Sequence, residues 1–363
     1  MTALADPVPQ RLAVASGPPA TRPVEESGAP RDSARMLVAS PEGLVDAHLR
    51  DLPEHLREGD VLVVNTSAVL PAALPALGPG GAHLRLHLST ALPGGWWLVE
   101  PRRPNGAASL PHPEVSEGDV LQLPDGGSAR LLAPHAPRQG LPPRLWLALL
   151  DVPEAPAGER DGAEPALHRY LQRNGMPIRY GDPQSAWPLA TYQTVFAAAP
   201  GSAESPRAGR GFPGALVARL VASGVAVTGL TLHCGVSSAE APEGPGPERY
   251  RVSSATARTV NSARAAGGRV VAVGTTVVRA LETVADEDGT ISAGHGWTEH
   301  VVGPGEHLRA VDALLTGWHE PEATHLDILR AAAPEALLVA SYETAAAAGY
   351  RWHELGDLHL LLP

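Results

Sequence analysis

The chain has no lysine; all 28 of its basic residues are arginine. With 38 glycines, 37 prolines and abundant alanine, that bias reads as coding composition and not as function. Aromatic residues are scarce at 4%, so any core must be built mainly from Ala, Val and Leu. The single cysteine, Cys234, excludes an internal disulfide and a cysteine-based metal cluster. No apolar run reaches transmembrane length and no signal-peptide core is present. A soluble, cytoplasmic chain without a membrane partner is therefore expected. Positive charge is outnumbered: the net charge of −11 argues against bulk electrostatic binding to nucleic acid and leaves room only for a local arginine patch. What is present suffices to fold. Apolar residues are 44% of 363, enough for about two domains with a substantial core.

The chain is organised around Gly267 to Glu282. Val270 to Val273 is a short β-branched run that reads as a buried strand. Gly274 ends it, and Thr275 or Thr276 can cap the helix that carries Val277, Val278, Ala280 and Leu281. Arg279 lies one turn further on, on the same face as the threonines. Strand, glycine, hydroxyl pair and helix can present N–H groups and hydroxyls to a ligand. Gly-Thr-Thr has neither dinucleotide-loop glycines nor a phosphate-loop lysine, so a plain βα unit with a capped helix is equally open. A second buried strand, Val61 to Asn65, follows the turn Glu58-Gly59-Asp60. Asn65-Thr66-Ser67 then sits where open α/β sheets place ligands, though Asn65 can equally be a turn residue bonding its own backbone.

Further strands are expected at Arg35 to Val38, Val225 to Leu232, Leu337 to Tyr342 and Leu358 to Leu362. Helices are expected at His48 to Leu56, from Pro213 to Gly224, from a Ser253 cap to Ala266, and at Ala323 to Ala333. Gly294 to Gly305 reads as a loop, and residues 1–30 as a mobile arm. Between Leu70 and Leu150 short apolar stretches alternate with turn signals such as Glu117-Gly118-Asp119, which suggests a small barrel. The expected fold is an α/β main domain, residues 31–69 and 152–363, with an inserted small β-barrel domain at 70–151.

Fifteen histidines invite a metal reading. His319-Glu320 and His353-Glu354 do not extend into a two-histidine helical motif, and Pro321 separates His319 from His325. No metal is expected. Cys234 reads as a small buried residue and not as a nucleophile. His233, at a strand end before a glycine, is either a neutral core histidine or a general base.

Taken together, the segments resemble the S-adenosylmethionine:tRNA ribosyltransferase-isomerases of queuosine biosynthesis. The matching pieces are Gly59-Asp-Val-Leu-Val-Val-Asn-Thr66, Tyr192-Gln-Thr-Val-Phe-Ala197, Thr231-Leu-His-Cys-Gly235 and Val271-Ala-Val-Gly-Thr-Thr276 with Arg279 and Leu281-Glu282. Asp312-Ala-Leu-Leu-Thr316, His319-Glu-Pro321 and Gly356-Asp357 complete them, in family order. The resemblance implies an α/β domain interrupted by a barrel. It also implies a reaction. The ribosyl part of S-adenosylmethionine moves to the aminomethyl group of a 7-deazaguanine in the tRNA anticodon and rearranges to an epoxycyclopentanediol, while adenine and methionine leave. On this resemblance His233, His319, Glu320 and Tyr192 are catalytic candidates. Asn65, Gln193, Arg207, Gly274, Thr275, Thr276, Arg279 and Asp357 are expected to bind substrate. The partners implied are S-adenosylmethionine, as co-substrate with no further cofactor and no metal, and tRNA; oligomeric state is not legible.

The chain also departs from the family pattern. Pro206-Arg-Ala-Gly-Arg-Gly-Phe212 stands for Pro-Thr-Ala-Gly-Leu-His-Phe, so Gly211 replaces a histidine. Ala68 and Ala73 replace two arginines, and Pro247-Glu248-Arg249-Tyr250 keeps only the glutamate of a Met-His-x-Glu element. Arg207 and Arg210 are additions. These departures lead to an expectation of weak tRNA binding. They leave as alternatives a diverged enzyme with a small-molecule acceptor and a ligand-binding protein without turnover.

Overall fold

A computed structural model describes residues 16–111, 114–136, 142–153, 163–179, 186–236, 246–303, 305–320, 323, 325–353 and 355–363. In chain order, β1 (Arg35–Ser40) and β2 (Gly43–His48) form a hairpin, followed by β3 (Val61–Asn65) and the short β4 (Ser67–Val69). Seven strands come next: β5 (Ala73–Leu77), β6 (His83–Ala91), β7 (Trp96–Asn105), β8 (Ala108–Pro111), β9 (Val120–Gln122), β10 (Ser128–His135) and β11 (Leu145–Asp151). Helices α1 (Ala163–Asn174) and α2 (Leu189–Tyr192) lead to β12 (Ala199–Ser202), α3 (Gly214–Ala222) and β13 (Ala226–Leu232). The last third holds β14 (Glu248–Val252), α4 (Ser254–Ala265), β15 (Val270–Val273), α5 (Thr275–Val284), β16 (Gly294–Thr298) and β17 (Ala313–Gly317), then α6 (His325–Ala332), α7 (Glu335–Ala347) and β18 (Leu358–Leu361).

Nine strands make one mixed sheet in the order β16-β14-β13-β3-β15-β17-β18-β1-β2. Its centre, β13-β3-β15-β17, is parallel. Continuous apolar runs form these strands because both faces are covered. Val61, Val63, Val270, Ala272 and Leu314 pack toward Val277, Leu281 and Leu338 on one side. Leu62, Val64, Val271, Val273 and Leu315 pack toward Leu49, Leu52, Leu216 and Leu220 on the other. Strand alternation thus feeds two cores from one run of residues.

The inserted strands close into a six-stranded antiparallel barrel, β11-β10-β9-β5-β6-β7, with β7 returning to β11. β7 is long enough to serve twice: Trp96 to Val99 closes the ring, and Arg102 to Asn105 pairs with β8. Leu74, Leu86, Leu88, Val99, Leu121 and Leu131 fill the interior. Helix α1, which the sequence reading did not anticipate, adds Leu167, Tyr170 and Leu171 to that same core. The helix after the insertion is therefore packed as part of the barrel.

Other expectations are corrected. Leu337 to Tyr342 is not a strand but lies in α7. Pro334 precedes the helix, and Leu338, Ser341, Tyr342 and Ala345 are its buried residues, at helical and not strand spacing. A short apolar run cannot announce which period it will adopt. Gly294 to Gly305 is not all loop, since Gly294 to Thr298 pairs with β14. Residues 16–30 are anchored: Trp352 N–H donates to Pro18 O, and Glu25 pairs with Arg31 and Arg210. Residues 1–15 of the expected arm, Tyr180, Pro321, Glu354 and most of Val152 to Glu164 lie outside the described residues.

Candidate functional site

The four central parallel strands end side by side. Beyond their carboxyl ends stand Asn65 from β3, His233 after β13, Gly274 after β15 and His319 just after β17. The chain leaves β3, returns on one side of it as β13, and then crosses to the other side as β15. That reversal of strand order is where open α/β sheets leave a ligand crevice.

Asn65 forms the floor. Its amide nitrogen donates to Leu232 O at 2.8 Å, and its oxygen accepts from Leu232 N–H at 3.1 Å. The side chain extends the β3–β13 ladder by one step. It also accepts from Ser67 N–H at 3.0 Å and reaches Thr276 Oγ1 at 3.3 Å. Asn65 bonds its own backbone and ties two strand ends to α5 at once.

His233 is held from two sides. Ser67 Oγ lies 2.8 Å from its Nδ1 and shares a 2.7 Å hydrogen bond with Ser202 Oγ, which accepts from Cys234 N–H. Gly201, at φ 157°, covers the ring so closely that any side chain there would strike it. The residues that fix His233 were not anticipated. Two serines and a glycine at strand edges carry no pattern in sequence.

Gly274 has φ 97°, in the left-handed region that favours glycine, and is itself the N-cap of α5 without any side-chain cap. Thr275 and Thr276 are the first helical residues and not its caps. A Cβ at 274 would sit 3.4 Å from Ala208, so the turn Arg207 to Gly209 passes directly over this glycine. That turn brings Arg207 to His319, with Nη2 3.1 Å from Nδ1. A guanidinium only donates, so Nδ1 accepts and Nε2–H donates to Thr316 Oγ1 at 3.0 Å. Burial, with Arg207 next, keeps His319 well below the ordinary histidine value. His325 stacks on it with ring centroids 4.9 Å apart and is pushed down to about 4, chiefly by burial.

Other expected residues are placed elsewhere or already occupied. Arg279 is buried in an ion pair with Glu248, which also accepts from Gly235 N–H at 2.7 Å. Through Glu248 it braces the His233 loop. Gln193 is bonded through both amide atoms to the Val69 backbone. Tyr192 is buried, its hydroxyl accepting from Arg179 Nε at 3.3 Å. Glu320 pairs with His353 at 3.2 Å and accepts from Ser16. Asp357 accepts from the backbone N–H of Arg35 and Arg351, where β1 and β18 begin, and burial raises its carboxyl. The structure therefore brings together Asn65, His233, Gly274, Thr275 and Thr276, with Arg207 and His319 adjoining. Cys234 is buried, and its thiol is pushed far up by burial and Glu248, so it is no nucleophile.

The barrel reaches this place too. Ser89 Oγ accepts from Val236 N–H, and Trp297 Nε1 donates to Ala91 O. A cavity of about 330 Å³ lies elsewhere, near Glu282 and His300. Its carboxylate is taken by the N–H groups of Arg309 and Ala310, so it serves the fold. Among the described residues no three His, Cys, Asp or Glu side chains are grouped to hold a metal ion, and no helix is long and apolar enough to cross a membrane.

Two of the sequence departures have a physical reading. Ala73 is fully buried and its backbone exchanges hydrogen bonds with Met176, so that position offers no surface for a phosphate contact. A Cβ on Gly211 would lie 2.5 Å from a Leu49 methyl, which leaves no room for a histidine unless Leu49 moves.

A model of the queuosine biosynthesis protein family matches residues 14–361. An S-adenosylmethionine:tRNA ribosyltransferase-isomerase from Anaeromyxobacter dehalogenans (strain 2CP-C) is 40% identical over 345 residues, 92% of this chain and 93% of that one. Its namesake from Moorella thermoacetica is 37% identical over 357 residues, 94% and 96% respectively. The crystal structure of S-adenosylmethionine tRNA ribosyltransferase from Thermotoga maritima aligns with a TM-score of 0.50 at 26% identity, covering 96% of this chain and 99% of that one.

Proposed function

The chain belongs to the queuosine biosynthesis protein family, and we propose that it is an S-adenosylmethionine-dependent ribosyltransferase-isomerase acting on tRNA. The observation that carries this reading is the convergence of Asn65, His233, Gly274 and the Arg207–His319 pair at the carboxyl ends of the parallel strands, in a chain similar to the named enzymes along nearly its whole length.

S-adenosylmethionine brings its own activation. The sulfonium acidifies the C5′ hydrogens, so a placed base can remove one. His233 is the base in this proposal: its Nδ1 is set by Ser67, and Ser67 with Ser202 can take up or return a proton. The aminomethyl nitrogen of the acceptor base forms the new bond to the ribosyl carbons, the ribosyl group rearranges to the epoxycyclopentanediol, and adenine and methionine depart. Departing adenine needs hydrogen-bond donors or a proton. In this proposal Thr275, Thr276 and the first turn of α5 take that role, since a helix start has N–H groups outside the intrahelical ladder. His319, with both ring nitrogens engaged, keeps the Arg207 guanidinium in place beside the crevice.

The test is incubation with S-adenosylmethionine and a tRNA carrying 7-aminomethyl-7-deazaguanine, followed by nucleoside mass spectrometry. Epoxyqueuosine with equimolar adenine and methionine is expected. Adenine release with the tRNA unchanged would replace this reading by the small-molecule acceptor.

A further inference from the structure

Five arginines line a cavity of about 490 Å³ beside the crevice: Arg22, Arg35, Arg207, Arg210 and Arg351. It forms where the anchored N-terminal segment, the turn after Pro206 and the segment before β18 meet. Two acids share the lining, Glu26 and Asp357. Asp357 is already engaged by the Arg35 and Arg351 N–H groups, and burial favours its neutral form. Glu25 and Asp46 pair with Arg210 and Arg35, so the positive charge of this cavity comes chiefly from Arg22, Arg207 and Arg351. Two of the arginines are set in place: Arg210 by Glu25 and Thr191 O, and Arg35 by Asp46 and Ala348 O. Arg22 and Arg351 are exposed. Arg207 lines this cavity and also donates to His319, so the cavity and the crevice share a wall.

We infer that this cavity grips the phosphodiester backbone of the RNA acceptor, next to the base that enters the crevice. The inference rests on the tRNA reading above and adds a place for it. Ligand pockets for neutral small molecules carry only a few polar groups; this one has five guanidiniums in its lining, whose planar donor forks match phosphate oxygens. An RNA that delivers one base to the strand ends must lay its flanking phosphates alongside. The wall that adjoins the crevice through Arg207 is where such phosphates meet charge. Arginines expected near Asn65 are absent, at Ala68 and Ala73. Arg207 and Arg210, together with the anchored segment that carries Arg22, supply positive charge from a different direction.

The test compares wild type with Arg22→Ala/Arg351→Ala, both exposed positions that leave the crevice untouched. Binding of the acceptor tRNA is followed by fluorescence anisotropy between about 50 and 200 mM salt, with S-adenosylmethionine affinity measured by calorimetry on the same proteins. Each lost phosphate contact lowers the log–log salt slope by about 1. The double variant is therefore expected to lose about 2 from the slope, and its deficit against wild type to narrow about tenfold across that salt range. Affinity for S-adenosylmethionine stays unchanged. Wild-type affinity and slope in the variant, while wild type binds and modifies tRNA, would overturn the cavity and leave the activity standing. Failure of wild type itself to bind the tRNA would overturn both.

Discussion

Two regions of this molecule bury polar side chains, and they use them differently. On the outer face of the barrel, Glu100, Arg102, Ser109 and His87 form a cluster. Arg102 Nη1 is 2.8 Å from Glu100, its Nε donates to Ser109 Oγ at 2.9 Å, and Ser109 lies 3.2 Å from His87 Nε2. His87 Nδ1 lies 3.5 Å from the Glu100 carboxylate, at ion-pair distance and without a hydrogen bond between them, and Arg144 adds a contact at 3.3 Å. Burial opposes ionisation of Glu100, but His87, Arg144 and Arg102 outweigh it and draw the carboxyl down to about 2. In the α/β domain, Asn65 and His233, joined through Ser67, and the Arg207–His319 pair stand at the ends of parallel strands. A buried polar cluster whose members satisfy each other holds a fold together. One whose members stand at converging strand ends can serve a ligand.

The sharpest way to break this comparison is to remove one histidine from each region. His233→Ala is expected to lower kcat by about 10² to 10⁴, the range for loss of a placed base, with little change in Tm. His87→Ala should do the reverse: lost stability and unchanged kcat per folded molecule. A His87 variant that folds normally but loses turnover would erase the distinction.

Next in size are the buried ion pairs. Arg102→Ala leaves Glu100 charged and buried, a cost of about 3–5 kcal/mol seen in denaturant unfolding, with no effect on turnover once folded. Arg279→Ala should cost a similar amount by stranding Glu248. It should also reduce turnover, because Glu248 holds the N–H of Gly235 in the His233 loop. Equal kcat in the two variants would count against that bracing role.

Acid acts on buried histidines in both regions and on Glu100 in the barrel. His359 is fully buried against Trp318, and among the described residues neither ring nitrogen has a hydrogen-bond partner. Burial lowers it from 6.5 to about 3, and His325 to about 4. Below pH 6.5 the unfolded chain takes protons that the folded one refuses. Stability from these groups is thus complete above 6.5 and lost as pH falls toward their folded values. Glu100 is depressed from 4.5 to about 2, so its stability is complete above 4.5 and lost only below. Burial lowers His87 in the barrel as well, so both regions should begin to weaken near pH 6.5, and Glu100 adds a further loss in the barrel below 4.5. His359→Phe, which keeps the stacked shape, should reduce the slope of unfolding free energy by about 1.4 kcal/mol per pH unit between those folded and unfolded values. An unchanged slope would remove His359 from the account.

Much of this was legible in sequence, for reasons that particular elements make clear. Val61 to Asn65 and Val270 to Val273 are visible because doubly buried strands must be continuously apolar, and the barrel because its strands are short and punctuated. Helix α7 was misread because five apolar residues in a row satisfy both periods. Asn65, His233 and Gly274 do stand at the ends of neighbouring parallel strands, as sequence placed them. Arg279, Gln193 and Asp357 have protein partners in the structure, which sequence could not show, since a polar residue near a strand end looks the same whether it faces a ligand or a buried partner such as Glu248. The weak tRNA binding expected from Ala73 loses part of its basis, because that side chain is inside the barrel.

The smallest expected effect concerns a hydroxyl. Ser67→Ala removes the group that holds His233 Nδ1 and also deprives Ser202 of a partner. A single neutral hydrogen bond contributes about 1 kcal/mol, or about fivefold. If Ser67 only packs, that loss appears in Tm and leaves kcat alone. If it sets the tautomer and plane of His233, kcat falls about fivefold, the pH–rate profile shifts, and KM for S-adenosylmethionine is unchanged. Ser67→Thr keeps the hydroxyl and should restore both profile and rate. The barrel offers the control. Ser109→Ala likewise removes a hydroxyl bonded to a histidine, His87, but within the barrel cluster, and there only stability should respond. A shifted pH–rate profile in the Ser109 variant, or an unshifted one in the Ser67 variant, would collapse the difference between the two regions.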